Sequence, residues 1–160
     1  MEKLLRRVHT SSKISASLKI ISHTSVAVCV ISFFAMLAYL SHENPNQGLR
    51  LILAAAVPFI LVSIARRIIN APRPYELYDF YTVPPKAKRG QSFPSRHVFS
   101  AFLVAGLAYM ISIWLALALV AVGISLATAR VFLGIHFIRD VAAGALIGVL
   151  SAVLGLLIWF

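Results

Sequence analysis

The chain has 160 residues, 60% of them hydrophobic and 12% charged, with a formal net charge of +10 at pH 7. Soluble domains carry about 25% charged residues; half that share, with a mean hydropathy of +0.88, excludes a soluble globular domain. The positive surplus then points to anionic headgroups, or to a phosphate-bearing substrate held at a bilayer, rather than to nucleic acid. The single cysteine, Cys29, lies in an apolar run and makes neither an internal disulfide nor a metal cluster.

Residues 1–20 carry five Lys and Arg. Leu4, Leu5, Val8, Leu18 and Ile21 fall near one helical face, which predicts a basic amphipathic helix lying at the membrane surface. No short apolar stretch with a small-residue cleavage site follows, so no cleaved signal peptide is expected. Residues 21–40 are long enough to cross a hydrocarbon core of about 30 Å. The turn formers Asn44, Pro45, Asn46 and Gly48 separate them from a second span, Leu49–Ile69, in which Pro58 predicts a kink. Asn70–Phe93 is a long polar connection; its Tyr75, Tyr78, Phe80 and Tyr81 suit the headgroup layer, and Lys86, Lys88 and Arg89 suit headgroup contacts. Val98–Ala129 holds no charged residue and reads as two short spans broken around Tyr109–Trp114. Val141–Phe160 is a fifth, where Gly144, Gly148 and Gly155 allow close helix packing. The expected fold is all-α: one membrane-embedded domain over residues 1–160, a multi-pass bundle of about five spanning helices (21–160) preceded by the interfacial helix (1–20).

Three polar clusters interrupt this pattern. They are RRIINAPRPY (Arg66, Arg67, Arg73), SFPSRH (Ser95, Arg96, His97) and RVFLGIHFIRD (Arg130, His136, Asp140). With alternating spans, the ends that carry them fall on one side of the membrane. Arginines offer charge-assisted, bidentate hydrogen bonds to phosphoryl oxygens. A helix would put His136 and Asp140, spaced i, i+4, on one face. The carboxylate can then hold one ring N–H while the other nitrogen attacks. His97 can protonate a leaving alkoxide. Taken singly, Arg66 and Arg67 also read as anchors at a span end. Asp140 opens an apolar span, where an unpaired charge is costly, and so reads as functional.

The three clusters resemble the signatures of the type 2 phosphatidic acid phosphatase superfamily of membrane lipid phosphatases, K-x6-R-P, P-S-G-H and S-R-x5-H-x3-D. Arg73, Pro74, Pro94, Ser95, His97, Arg130, His136 and Asp140 match in order, over roughly residues 50–160. The resemblance implies that His136 is a nucleophile forming a phosphohistidine, that Asp140 orients it, and that His97 protonates the leaving lipid alkoxide. It implies that Arg66, Arg73, Arg130 and Ser95 hold the phosphoryl oxygens, with no metal or other cofactor. Three positions depart from the pattern: Arg66 replaces the lysine, Arg96 the glycine and Ala129 the serine. Arg96 reads either as a contact to a second phosphate or as a headgroup anchor. The family core has six spanning helices, and the N-terminal amphipathic helix is expected to stand in for the first.

The expected activity is hydrolysis of a phosphate monoester or diphosphate on a lipid: phosphatidic acid, phosphatidylglycerophosphate or polyprenyl diphosphate. A non-catalytic lipid-phosphate binder or transporter is the alternative, needing the arginines but no His–Asp pair. Of the fifteen Lys and Arg, only Arg50 falls on the side away from the clusters. The positive-inside rule therefore puts the site at the cytoplasmic face of the cell membrane. A cysteine placed at position 44 or 46 is then expected to react with an impermeant thiol reagent in intact cells; protection of that turn from outside reagent would reverse the orientation.

Overall fold

No glycine or proline interrupts the chain between Ser12 and Glu43. The computed structural model, which describes residues 11–78 and 89–160, carries this stretch as one helix, α1 (Ser12–Glu43), with Ser11 as its N-cap. The boundary expected between an interfacial helix and a first span at residue 20 is therefore not a break: residues 12–20 are the opening turns of the same helix, and residues 1–10 lie outside the described part. With 32 residues, α1 is about 48 Å long, against about 30 Å of hydrocarbon. Its excess length belongs in the headgroup layer.

Asn44 both ends α1 and begins α2 (Pro45–Ile69). Its N–H donates to Leu40 O at 2.9 Å, and its Oδ1 accepts from Asn46 N at 2.9 Å. Pro45 at the first helical position needs no donor there. The second helix continues past Pro58 and stops at Asn70, whose left-handed backbone forms the C-cap. A single turn, α3 (Pro74–Leu77), follows. The aromatics Phe80 and Tyr81 and the lysines Lys86 and Lys88, expected at headgroups, lie outside the described residues. The chain resumes before α4 (Arg96–Leu107), which a short 3₁₀ turn extends to Met110. Ser112 then breaks the long apolar run where a break was expected. Its Oγ accepts from Trp114 N at 3.2 Å and starts α5 (Ile113–Phe132). A five-residue connection leads to α6 (Ile138–Trp159).

Among the described residues all regular structure is helical. The helices α1, α2, α5 and α6 are long and apolar enough to span a bilayer, and Arg96–Met110 is a shorter apolar fifth. Large side chains such as Ile68, Trp114, Leu157 and Ile158 face outward, as lipid contact requires. The chain is a multi-pass helical membrane protein. The shortest member, α4, is the central one and packs against α1, α2, α5 and α6. Its Val98, Phe99 and Leu107 are fully buried.

The most extensive helix–helix contact in the bundle is between α4 and α6. A Cβ on Gly144 would lie 2.6 Å from Ser95 O, and one on Gly148 2.5 Å from Phe99 O. Both contacts are to backbone, which cannot swing away, so only glycine lets the two helices meet here. The contact delivers Ser95 N to Asp140 O at 2.9 Å, joining the two helix N-termini. Gly144→Ala is expected to lower stability by about 1–3 kcal/mol, as overpacking does, while Leu146→Ala on the outer face changes it by less than about 0.5 kcal/mol. Thermal unfolding in detergent compares the two; equal midpoints would contradict the contact.

Candidate active site

Three connections meet at one end of the bundle: the segment after α2, the segment before α4, and residues 133–137 between α5 and α6. The clamp that ties the first two together is Arg66, near the C-terminus of α2. Its guanidinium is buried and donates to the carbonyls of Gln91, Ser92 and Pro94, the Ser92 contact being 3.3 Å. A buried guanidinium needs its donors satisfied, and three carbonyls of one short loop do this. Arg66, expected to grip phosphate, thus holds the loop that carries Ser95 and His97. Ala71 O adds a hydrogen bond from Ser92 N at 2.9 Å.

Glu76 supplies a second tie. Its Oε1 accepts from Gly90 N at 2.7 Å and from Arg73 N at 3.0 Å. Arg73 Nε donates to Gly90 O at 3.0 Å, and its guanidinium lies 5.9 Å from the centre of the Tyr75 ring. Sequence reading passed over Glu76, although an acid three residues after a helix-capping position is a recognisable capping signal.

His136 and Asp140 are both buried, at 2% and 0% exposure. Asp140 caps α6, with Oδ2 accepting from Phe137 N at 3.0 Å, a favourable place for a carboxylate beside the helix dipole. The expected direct bond from Asp140 to the imidazole is not formed. Oδ2 stands 3.8 Å from His136 Nδ1, beyond hydrogen-bond range, because the carboxylate is committed to the helix terminus. Between them lies Ser92 Oγ, 2.5 Å from Oδ2 and 3.3 Å from Nδ1. Ser92 opens the SFPSRH stretch, and sequence reading gave it no role.

Ser95 caps α4 without using its hydroxyl. Ser95 Oγ and Arg130 Nε are both buried and have no hydrogen-bond partner among the described residues. His97 and Arg96 occupy the first turn of α4. Arg96 is exposed and lies over the Phe59 ring at 5.5 Å. His136, Arg130, Arg96 and Arg66 all lie within electrostatic reach of His97, as Arg73 does of Arg66, Arg130 and His136. Every site residue expected from the sequence is therefore gathered at one end. Arg67 is exposed on the outside. Among the described residues no three His, Cys, Asp or Glu side chains stand together as metal ligands; the surplus of guanidinium instead suits an anion.

An apolar groove leads away from the cluster. A cavity of about 230 Å³ lined by Arg96, His97, Val26 and Leu126 shares Cys29, Val30, Phe59 and Ser100 with one of about 450 Å³ lined by Phe33, Phe34, Leu37 and Ile52. The groove runs between α1, α2 and α4, and its second chamber is almost wholly hydrocarbon.

A helical bundle with imidazoles, arginines and a buried carboxylate at one end defines a membrane protein built to handle an anion. The model of the PAP2 superfamily matches residues 47–160, and the chain belongs to that superfamily. The bacitracin transport permease protein BcrC of Bacillus licheniformis is 35% identical over 112 residues, 64% of this chain and 52% of that protein. The chain thus spans about half the length of this relative. The crystal structure of Aquifex aeolicus LpxE is similar with a TM-score of 0.72 at 23% identity, covering 96% of this chain and 93% of that one. A transmembrane PAP2 type phosphatidylglycerolphosphate phosphatase from Bacillus subtilis gives a TM-score of 0.73 at 18% identity, covering 96% and 81%. Both likenesses concern the fold.

His136 lies in the connection between two spans. Burial holds its imidazole below the ordinary histidine range; the Asp140 carboxylate opposes this, and the charges of Arg73 and Arg66 add to it. A lowered value means that a proton binds only at more acidic pH than the ordinary value of about 6.5. An NMR titration of His136 in detergent is expected to give a midpoint below that value, and one at or above it would contradict the burial.

Proposed function

We propose that the chain is a membrane lipid phosphatase, hydrolysing a phosphate monoester or diphosphate through a phosphohistidine. The observation that carries this reading is the pairing of two surroundings. A buried imidazole beside a carboxylate faces a cluster of guanidinium groups, and an apolar groove ends beside the second histidine. A phosphoryl group fits the first and a hydrocarbon chain the second.

In the proposed reaction the free nitrogen of His136 attacks phosphorus. The P–N bond forms as the P–O bond to the lipid breaks, and its electron pair passes to the alkoxide oxygen. His97, at the junction of groove and cluster, gives that oxygen a proton. Water then attacks the phosphohistidine, giving its proton to the now deprotonated His97, and the P–N pair returns to the ring. Arg73, Arg130 and Ser95, with the N-terminus of α4, hold the phosphoryl oxygens and stabilise the charge that builds on them. The unpartnered Ser95 Oγ and Arg130 Nε support this, since a buried donor left unsatisfied costs about 1–3 kcal/mol unless a bound group uses it. Arg66 acts from behind by fixing the loop.

The name of the Bacillus subtilis neighbour supports a glycerophosphate lipid as one candidate; phosphatidic acid and polyprenyl diphosphate are the others. The name of the Bacillus licheniformis relative, a transport permease, favours the second reading, a non-catalytic carrier of lipid phosphates. A carrier has no use for a carboxylate-backed imidazole.

Phosphate release from a panel of these lipids in EDTA tests the proposal. Wild-type protein is expected to release phosphate from at least one lipid, and His136→Ala to lose at least about a thousandfold of that rate, as loss of a nucleophile does. His97→Ala is expected to lose about 100- to 10,000-fold, the worth of a general acid. Undiminished release by either variant would defeat its assigned role, and binding without release by wild type would favour the carrier.

A further inference from the structure

We propose that Ser92 is a positioning residue for the nucleophile, relaying the His136 Nδ1–H to the Asp140 carboxylate. The inference rests on the phosphatase reading above and adds a residue that the motif resemblance does not assign.

The geometry allows one arrangement of protons. An ionised carboxylate only accepts, and a hydroxyl has one proton and two lone pairs. Ser92 Oγ lies 2.5 Å from Asp140 Oδ2, the length of a charge-assisted O–H···O bond, so its proton goes to the carboxylate. Its lone pair then faces His136 Nδ1 at 3.3 Å and can only receive a proton from it. This fixes the tautomer with hydrogen on Nδ1 and the lone pair on Nε2. The ring becomes cationic when Nε2 bonds to phosphorus, and the Nδ1–H···Oγ–H···Oδ2 chain then links that charge to Asp140. Nδ1 and Oδ2 stand 3.8 Å apart without it.

The position of Ser92 is held as firmly as a positioning residue requires. The residue is 0% exposed. Its N–H is bound to Ala71 O at 2.9 Å and its carbonyl accepts from Arg66 at 3.3 Å. The segments after α2 and before α4 thus fix the hydroxyl that orients a ring carried between α5 and α6. Those four helices share one end through this contact.

The test uses Ser92→Ala and Ser92→Thr in the full chain, assayed on whichever lipid phosphate the wild type hydrolyses. Ser92→Ala is expected to lower kcat about 10- to 100-fold, as residues that orient a functional histidine do, with KM changed less than about threefold, since the phosphate ligands are untouched. Ser92→Thr restores the hydroxyl and is expected to recover at least tenfold over alanine. A ¹⁵N spectrum of His136 in folded wild type is expected to show the proton on Nδ1. Unchanged kcat in Ser92→Ala, threonine no better than alanine, or a proton on Nε2 would overturn the assignment while leaving the phosphatase reading intact. If Ser92→Ala does not fold, the wild-type tautomer decides. A wild type that releases no phosphate from any lipid overturns both.

Discussion

The bundle depends on two backbones that touch. Without side chains at Gly144 and Gly148, α4 and α6 approach until Ser95 N bonds to Asp140 O. Apolar side chains on these helices gain little by leaving lipid for one another, so van der Waals fit between backbones has to do the work that the hydrophobic effect does in water. The fit also fixes chemistry. It sets the capping serine of one helix against the capping carboxylate of the other, and the two positive helix ends reach the same spot.

That spot concentrates like charge. Arg66, Arg73, Arg96 and Arg130 sit within reach of one another or of the two histidines, and Asp140 is the buried acid among them. Such a cluster is unfavourable on its own, and more so where the surroundings are of low dielectric. The chain relieves part of the strain internally. Arg66 spends its donors on loop carbonyls, Arg73 shares Gly90 and the Tyr75 face, and Arg96 leans on Phe59. The remainder is potential available to the phosphoryl group of the proposed reaction, and in that reading stability and function draw on one source.

Much of this was legible beforehand because membrane sequences are constrained. Unbroken apolar runs of about twenty residues cross a bilayer as helices, and a charge-free run of thirty-two residues from Val98 to Ala129 had to break near a polar residue, as it does at Ser112. Alternation of spans then placed Arg73, His97 and His136 together without any knowledge of angles. What escaped was local. Nothing in residues 1–20 announced that α1 runs unbroken from Ser12, since a basic amphipathic start and a span differ in environment and not in backbone. The i, i+4 spacing of His136 and Asp140 suggested a shared helical face, yet His136 lies before α6 and Asp140 faces its terminus, leaving room for Ser92. Arg66 stands where the motif has its lysine while its side chain serves the loop, because a motif specifies charge at a place and not the atoms to which that charge is given.

The hairpin at Asn44 has a mechanical corollary. Two long rods joined at a single residue, and pinched there where Gly48 admits the Ser41 side chain, cannot slide or separate at that tip. Any widening between them is a splaying whose pivot is the tip and whose greatest travel is at the far end. The oily slot between α1 and α2 therefore has its fixed end at Asn44 and its free end on the side of the imidazoles.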